Sequence, residues 1–192
     1  RLYGTAYFKN LTPVKEFDHI VVGDYSFQCI MTPGHTEGHV CLYEPIHHLL
    51  LCGDTILGKI TPNISLWEIG KVDVLGQYLQ SLDKIERFAV DVVLPGHRHI
   101  IYDCRERIQQ LKAHHQKRLD EVLCLLRYGS TNATDIARKM NWDLSIKKWD
   151  EFPWAQKLFS TGEAMSHLYN LYRQGQTLIT KSNDGIYYFD QI

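Results

Sequence analysis

The stretch TPGHTEGHVCLYE, residues 32–44, decides how this chain is read. His35 and His39 stand four apart, a spacing that a helix would bring onto one face. Pro33, Gly34 and Gly38 make a helix improbable there, since proline lacks the amide donor and glycine loses the most backbone freedom on ordering. The histidines therefore belong to a tight turn that ends the apolar run YSFQCIM (25–31). Two histidines in a turn need partners.

Two further turns offer them. CGDT (52–55) and LPGHRH (94–99) also end apolar runs, and in all three turns a glycine directly precedes a His or Asp. Glycine at a strand end permits a sharp bend and leaves room for a close ligand. Imidazole and carboxylate are donors that a borderline divalent ion such as zinc takes. One such turn alone is most simply a surface residue at a strand end. Three together point to a metal site.

Around these turns, residues 1–102 alternate short apolar runs with turn signals. FDHIVVG and YSFQCIMT flank Gly23-Asp24, a hairpin signal, and HVCLYE with HLLLCGD reads as a second antiparallel pair. The run 49–52 is continuously apolar, the pattern of a strand covered on both faces. A helix follows over about 73–88, with Leu75, Tyr78, Leu82, Ile85 and Ala89 on one stripe, and then the strand VDVVL. Strands, helix and strand predict an α/β layered unit.

From residue 103 the period becomes helical. Ile108, Leu111, His115, Leu119, Val122 and Leu126 keep 3–4 spacing up to Gly129, a C-terminal cap. NATDIARKMNW predicts a short second helix. STGEAMSHLYNLYRQG predicts a third, opened by a Ser160-x-x-Glu163 capping box and stopped by Gly175. QTLITKSNDGIYYF predicts a hairpin turning at Asn183-Asp184-Gly185. Three helices closed by a two-stranded wing form a winged-helix pattern over 103–192.

Bulk properties set the outer limits. With 192 residues and 44% hydrophobic content, the chain is one large domain or two small ones with ample core. A net charge of −1 indicates neither a nucleic-acid binder nor a membrane-surface protein. No apolar run approaches the roughly 20 residues of a membrane span, and no signal-peptide pattern opens the chain. Cys29, Cys41, Cys52, Cys104 and Cys124 contain no CxxC pair, which predicts buried free thiols in a reducing, cytoplasmic setting.

At TPGHTEGH, GDTIL and LPGHRHI the sequence resembles the third, fourth and fifth metal-site motifs of the metallo-β-lactamase superfamily, in that family's order. The resemblance implies that His35 ligates a first metal, His97 a second, and that Asp54 bridges the two as the central catalytic carboxylate. It implies a hydrogen-bonding support role for His39; Thr36 and Thr55 stand next to ligands and are candidate supports too. His99, two residues past a ligand position, is the weaker candidate. GKITPNISLW and the helical region are similar to bacterial hydrolases with a C-terminal winged-helix-like domain. Relatives of that kind include glyoxalase II-like thioesterases and a mitochondrial β-lactamase-like group that cleaves RNA.

The implied fold is α/β: the second half of an αββα sandwich over residues 1–102, then a winged-helix-like domain over 103–192. The implied function is that of a metal-dependent hydrolase with two zinc ions, or manganese or iron, using a metal-held hydroxide on a thioester, ester or related small substrate. An RNA-cleaving nuclease of the same fold is the first alternative, although the charge does not indicate RNA. A non-catalytic interaction module is the second.

One departure is large. The superfamily's His-x-His-x-Asp-His motif is absent, and neither His47-His48, His114-His115, His19 nor His167 replaces it. The chain opens at Arg1, so the expectation is a C-terminal portion of a larger hydrolase. Each metal would then find two ligands here, where catalytic zinc usually takes three. Little activity, loose metal affinity and a homodimer covering an open sheet face are expected of this portion.

The substrate is the least legible part. Asn63, Trp67 and Glu68 lie in the loop Leu57–Lys71 that leaves the Asp54 turn, and Lys59 and Arg98 are the nearby cations. For RNA, the long first helix offers Arg105, Arg107, Lys112, Lys117 and Arg118, although a solvated face is the simpler account.

Overall fold

The computed structural model describes residues 11–143 and 148–192; the opening stretch RLYGTAYFKN lies outside them. The Gly23-Asp24 turn joins β1 (His19–Val22) to antiparallel β2 (Tyr25–Met31), with Val22 opposite Tyr25. Gly23 has φ +59°, the left-handed conformation that two-residue hairpin turns demand. β3 (Val40–Glu44) and β4 (Leu49–Gly53) form the second expected antiparallel pair. α1 (Val74–Ile85) then crosses to β5 (Val92–Pro95), which pairs in parallel with β4.

The sheet order is β1-β2-β3-β4-β5. Two antiparallel steps separate β2 from β4, so β2, β4 and β5 run in one direction. Their C-terminal ends lie along one edge of the sheet, and the three glycine-bearing turns leave from that edge. In α/β sheets this is where ligands bind.

One face of the sheet is fully buried through Ile30, Cys41, Tyr43, Leu50, Cys52 and Val93. Leu42, Leu51 and Leu94, on the opposite face, are only half-buried. The run 49–52 therefore alternates in burial instead of being covered on both faces as its composition suggested. α1 buries Leu75, Tyr78, Leu82 and Ile85, with the Asp73 carboxylate accepting the Gly76 N–H at 2.9 Å as cap. Ala89, expected on the same stripe, lies past the helix end and is exposed.

The C-terminal elements are α2 (Cys104–Leu126), α3 (Ala133–Lys139), α4 (Trp154–Arg173) and the hairpin β6 (Thr177–Lys181) with β7 (Tyr187–Gln191). α2 buries the stripe that its spacing predicts, from Ile108 to Leu126. α4 corrects the capping-box expectation. It begins at Trp154, after Pro153, so Ser160 and Glu163 are buried in mid-helix and cap nothing. Ser160 instead takes a hydrogen bond from the Gln156 side chain one turn earlier. Gly175 does end α4, at φ +72°, and the Gln176 N–H reaches back to the Leu171 carbonyl at 2.9 Å.

Among the described residues, most buried apolar side chains from Ile30 to Phe189 form a contiguous cluster. α4 packs against both α1 and α2, across the boundary expected at residue 102. Cys29, Cys41, Cys52 and Cys104 are buried free thiols, whereas Cys124 is exposed. No helix among the described residues is long and apolar enough to cross a membrane.

Between α2 and α4 two histidines stack. His115 Nδ1 and His167 Nε2 are 3.2 Å apart, and His167 Nδ1 is 2.8 Å from the Glu163 carbonyl. A carbonyl only accepts, so His167 donates there and takes a hydrogen bond from His115; both rings are neutral. Burial lowers His167 to about 4 and holds His115 well below its ordinary value. Burial also raises the Glu163 carboxyl to about 7.

The signs oppose one another. The neutral histidines contribute stability above their unfolded value near 6.5, and lose it as pH falls through their depressed folded values. Protonated Glu163 contributes stability below its ordinary value of 4.5, lost as pH rises through about 7. Among the described residues, burial lowers four histidines, His39, His114, His115 and His167, against the one buried carboxyl that it raises, Glu163, so the balance lies toward acid lability. Scanning calorimetry from pH 7 down to 4.5 should record a falling Tm; a Tm that is flat or rises toward acid would contradict this.

Candidate metal centre

The turn after β2 carries His35, the turn after β4 carries Asp54, and the turn after β5 carries His97. The structure brings these three together. His35 Nε2 lies 3.5 Å from Asp54 Oδ2, and His97 Nε2 lies 3.5 Å from Asp54 Oδ1. Each carboxylate oxygen thus faces its own imidazole. His35 Nδ1 is 2.9 Å from the Asn63 carbonyl, so the proton sits on Nδ1 and the Nε2 lone pair is free on the Asp54 side. His97 is more open, at 67% exposure against 27% for His35. The next residue, Arg98, has φ +76°, an uncommon conformation for a residue with a side chain.

The glycine before each of His35, Asp54 and His97 has a steric cause. A Cβ on Gly96 would lie 2.9 Å from Asp54 Oδ1, and one on Gly53 only 2.7 Å from His39 Nε2. A Cβ on Gly34, at φ +141°, would meet Tyr78 Cβ at 2.5 Å. The Gly96 N–H donates to the Gly53 carbonyl at 2.8 Å, tying the Asp54 and His97 turns together.

His39 supports the centre without facing it. The Asp54 backbone N–H donates to His39 Nε2 at 3.1 Å, so Nδ1 carries the ring proton. Nδ1 is 2.9 Å from both Thr32 Oγ1 and Thr55 Oγ1. Burial, with His35 nearby, lowers the His39 pKa against a smaller opposing pull from Asp54. Thr55 is therefore in contact with this support, whereas the Thr36 side chain is exposed and only its carbonyl closes the turn, accepting from Gly34 and His39. Thr32 was missed; it is fully buried, and its position beside Pro33 in the histidine turn was the only available signal.

The loop after Asp54 is fixed from the helical region. Arg107 Nε donates to the Leu57 carbonyl at 2.6 Å and Nη2 to the Ile60 carbonyl at 2.9 Å. The Leu66 N–H donates to the Gly162 carbonyl of α4 at 3.0 Å, and a Cβ at Gly162 would clash with Ser65 at 2.8 Å. Trp67 borders the same helical glycine on one side and is 61% exposed. His99 is exposed and lines a separate cleft of about 340 Å³ with Lys59 and Arg107.

The donors suit a pair of borderline divalent ions sharing one carboxylate, because each imidazole addresses a different carboxylate oxygen. The number of donors is the limit. Among the described residues no group of three or more His, Cys, Asp or Glu side chains gathers around one point.

Replacing Gly34 by alanine tests the packing under the His35 turn. The overlap with Tyr78 and the left-handed φ together should cost about 2–4 kcal/mol. Gly23→Ala has no atom within 4 Å to meet and carries only the cost of its positive φ, about 1 kcal/mol. Urea titration should rank Gly34→Ala as clearly the more damaging; equal costs would contradict the close approach of Tyr78.

A sequence model of the metallo-beta-lactamase superfamily matches residues 2–97. The atrochrysone carboxyl ACP thioesterase of Aspergillus fumigatus is 31% identical over 99 residues, 52% of this chain and 29% of that protein. The hydroxyacylglutathione hydrolase of Hydrogenovibrio crunogenus is 48% identical over 61 residues, 29% of this chain and 22% of that protein. The crystal structure of a beta-lactamase domain protein from Burkholderia ambifaria superposes with a TM-score of 0.84 at 28% identity, covering 97% of this chain and 54% of that one. The chain thus spans less than two thirds of the length of each of these proteins. With the family match over half its length and the three turns converging on Asp54, this chain belongs to the metallo-beta-lactamase superfamily.

Proposed function

We propose that this chain forms part of a metal-dependent hydrolase that cleaves a thioester or ester. The observation that carries the proposal is the Asp54 carboxylate lying between the His35 and His97 imidazoles, 3.5 Å from each. His35 and Asp54 would hold one ion, Asp54 and His97 a second. Such ions supply an activated water and polarise the scissile carbonyl. The chain's own residues do the positioning. Asp54 would be shared between the two ions, the Asn63 carbonyl fixes the His35 tautomer, and His39 holds the Asp54 backbone. Further donors, needed to reach the usual three per catalytic ion, would come from outside the described residues. Zinc is the metal that suits two imidazoles and a carboxylate, and the thioesterase and hydroxyacylglutathione hydrolase relatives support an acyl substrate.

The order of α2, α3, α4 and β6–β7 supports treating residues 103–192 as a winged-helix-like unit that buttresses the site. The nuclease alternative has less support. Arg107 is spent on the loop carbonyls, Lys112 pairs with Asp83 and Glu86, and Arg118 is buried against Glu121, the Asn141 carbonyl and the Trp142 ring. Among the described residues that leaves Arg105 and Lys117 on α2 without an ion pair, and on α4 Glu163, His167 and Tyr169 are buried while Arg173 is exposed.

Elemental analysis of the whole protein and of His97→Ala tests the assignment. The variant should lose about one equivalent of transition metal, because the second ion keeps only Asp54 from this chain. Unchanged metal content in the variant would remove His97 from the site.

A further inference from the structure

A second cleft lies away from the metal centre, between the C-terminal end of α4 and the inward face of the β6–β7 hairpin. It is an open cleft of about 530 Å³ lined by Tyr169, Tyr172, Arg173, Lys181 and Tyr187, with Ile69 from the loop at its border. The strand register explains the hairpin's share. Lys181 pairs with Tyr187 and Ile179 with Phe189, and Phe189 is fully buried, so this face turns inward. Asp190 pairs with Leu178 and belongs to the opposite face.

The chemistry of the lining is specific. Tyr172 is 41% exposed, and its ring lies 5.8 Å from that of buried Tyr169, which backs it. Lys181 Nζ sits 5.1 Å above the Tyr187 ring. Arg173 and Lys181 make no ion pair among the described residues, and no acidic side chain lines the cleft. Glu68, beside Ile69 in the loop, is paired with Lys71 at 2.7 Å. Aromatic faces beside unpaired cations are complementary to a ligand that is planar at one end and anionic at the other.

We propose that this cleft binds a nucleotide, its base stacked on Tyr172 and its phosphates held by Arg173 and Lys181. A base is planar and sequence-tolerant in stacking, and its phosphates supply the charge that the two cations lack. The cleft also shares a loop with the metal centre. Asn63, whose carbonyl holds His35, is six residues from Ile69, a span of at most about 21 Å. One elongated substrate headed by a nucleotide could therefore engage both places. The same chemistry would equally accept one unit of a single strand.

Equilibrium binding to the intact protein in the presence of a metal chelator tests the cleft separately from the metal centre. The probes are ADP, a short single-stranded oligoribonucleotide, and inorganic pyrophosphate as a charge-only control. ADP should bind saturably, and pyrophosphate far more weakly. Tyr172→Ala should weaken ADP about tenfold or more, Tyr172→Phe should restore it, and the double change Arg173→Gln with Lys181→Gln should weaken it and flatten its salt dependence. An oligoribonucleotide that binds no better than ADP identifies a soluble nucleotide or nucleotide-headed carrier as the source. One that binds much more tightly, with the same sensitivity to these variants, identifies a strand. The proposal is overturned if neither ADP nor the oligoribonucleotide saturates, if pyrophosphate matches ADP, or if the folded variants bind as the unaltered protein does.

Discussion

The rest of the structure depends on one carboxylate set between two imidazoles. Asp54 can face His35 and His97 at once only because β2, β4 and β5 run the same way and release their turns at a common edge. The antiparallel steps through β3 and the crossover through α1 produce that direction. The glycines then bring the backbones close enough, since a Cβ at position 53 or 96 would displace His39 or Asp54. Strand direction, glycine placement and donor geometry are three expressions of a single constraint.

The C-terminal helices are part of that constraint. Arg107 on α2 clamps the start of the loop, and Gly162 on α4 receives its middle. Asp73 caps α1 with one carboxylate oxygen and accepts from the Asn170 side chain of α4 with the other, at 2.8 Å. Because Asn63 in the same loop fixes His35, packing of α4 and orientation of the His35 ring are mechanically linked. The buried His115–His167 pair lies in that interface, and Tyr78 spans it: its ring meets His115 edge-on, while its hydroxyl donates to the Thr55 carbonyl beside Asp54.

What was legible in the sequence was what local chemistry dictates. Gly-His and Gly-Asp at strand ends singled out His35, Asp54 and His97, which the fold brings within 3.5 Å of one another through Asp54, and the periodicity of α2 identified its buried stripe. Misreadings arose where a local pattern had a tertiary explanation. Ser160 and Glu163 have capping-box spacing, yet Pro153 opens the helix earlier and the pair is buried in mid-helix. Leu49 to Cys52 is continuously apolar, yet only one of its faces is fully covered here. Arg107 had the signature of a solvated cation, and no local pattern announces that its partners are carbonyls some fifty residues away. Thr32 escaped for the same reason, since its contact with His39 exists only once the turn has closed.

The central claim is that Asp54 bridges two ions held by His35 and His97. Anomalous diffraction at the zinc edge, from crystals of the whole protein grown with zinc, tests it most directly. The account predicts two anomalous peaks about 3.5–4 Å apart, one beside His35 Nε2 and one beside His97 Nε2, with an Asp54 oxygen on each. A single peak, or two peaks that leave Asp54 without contact, would contradict it.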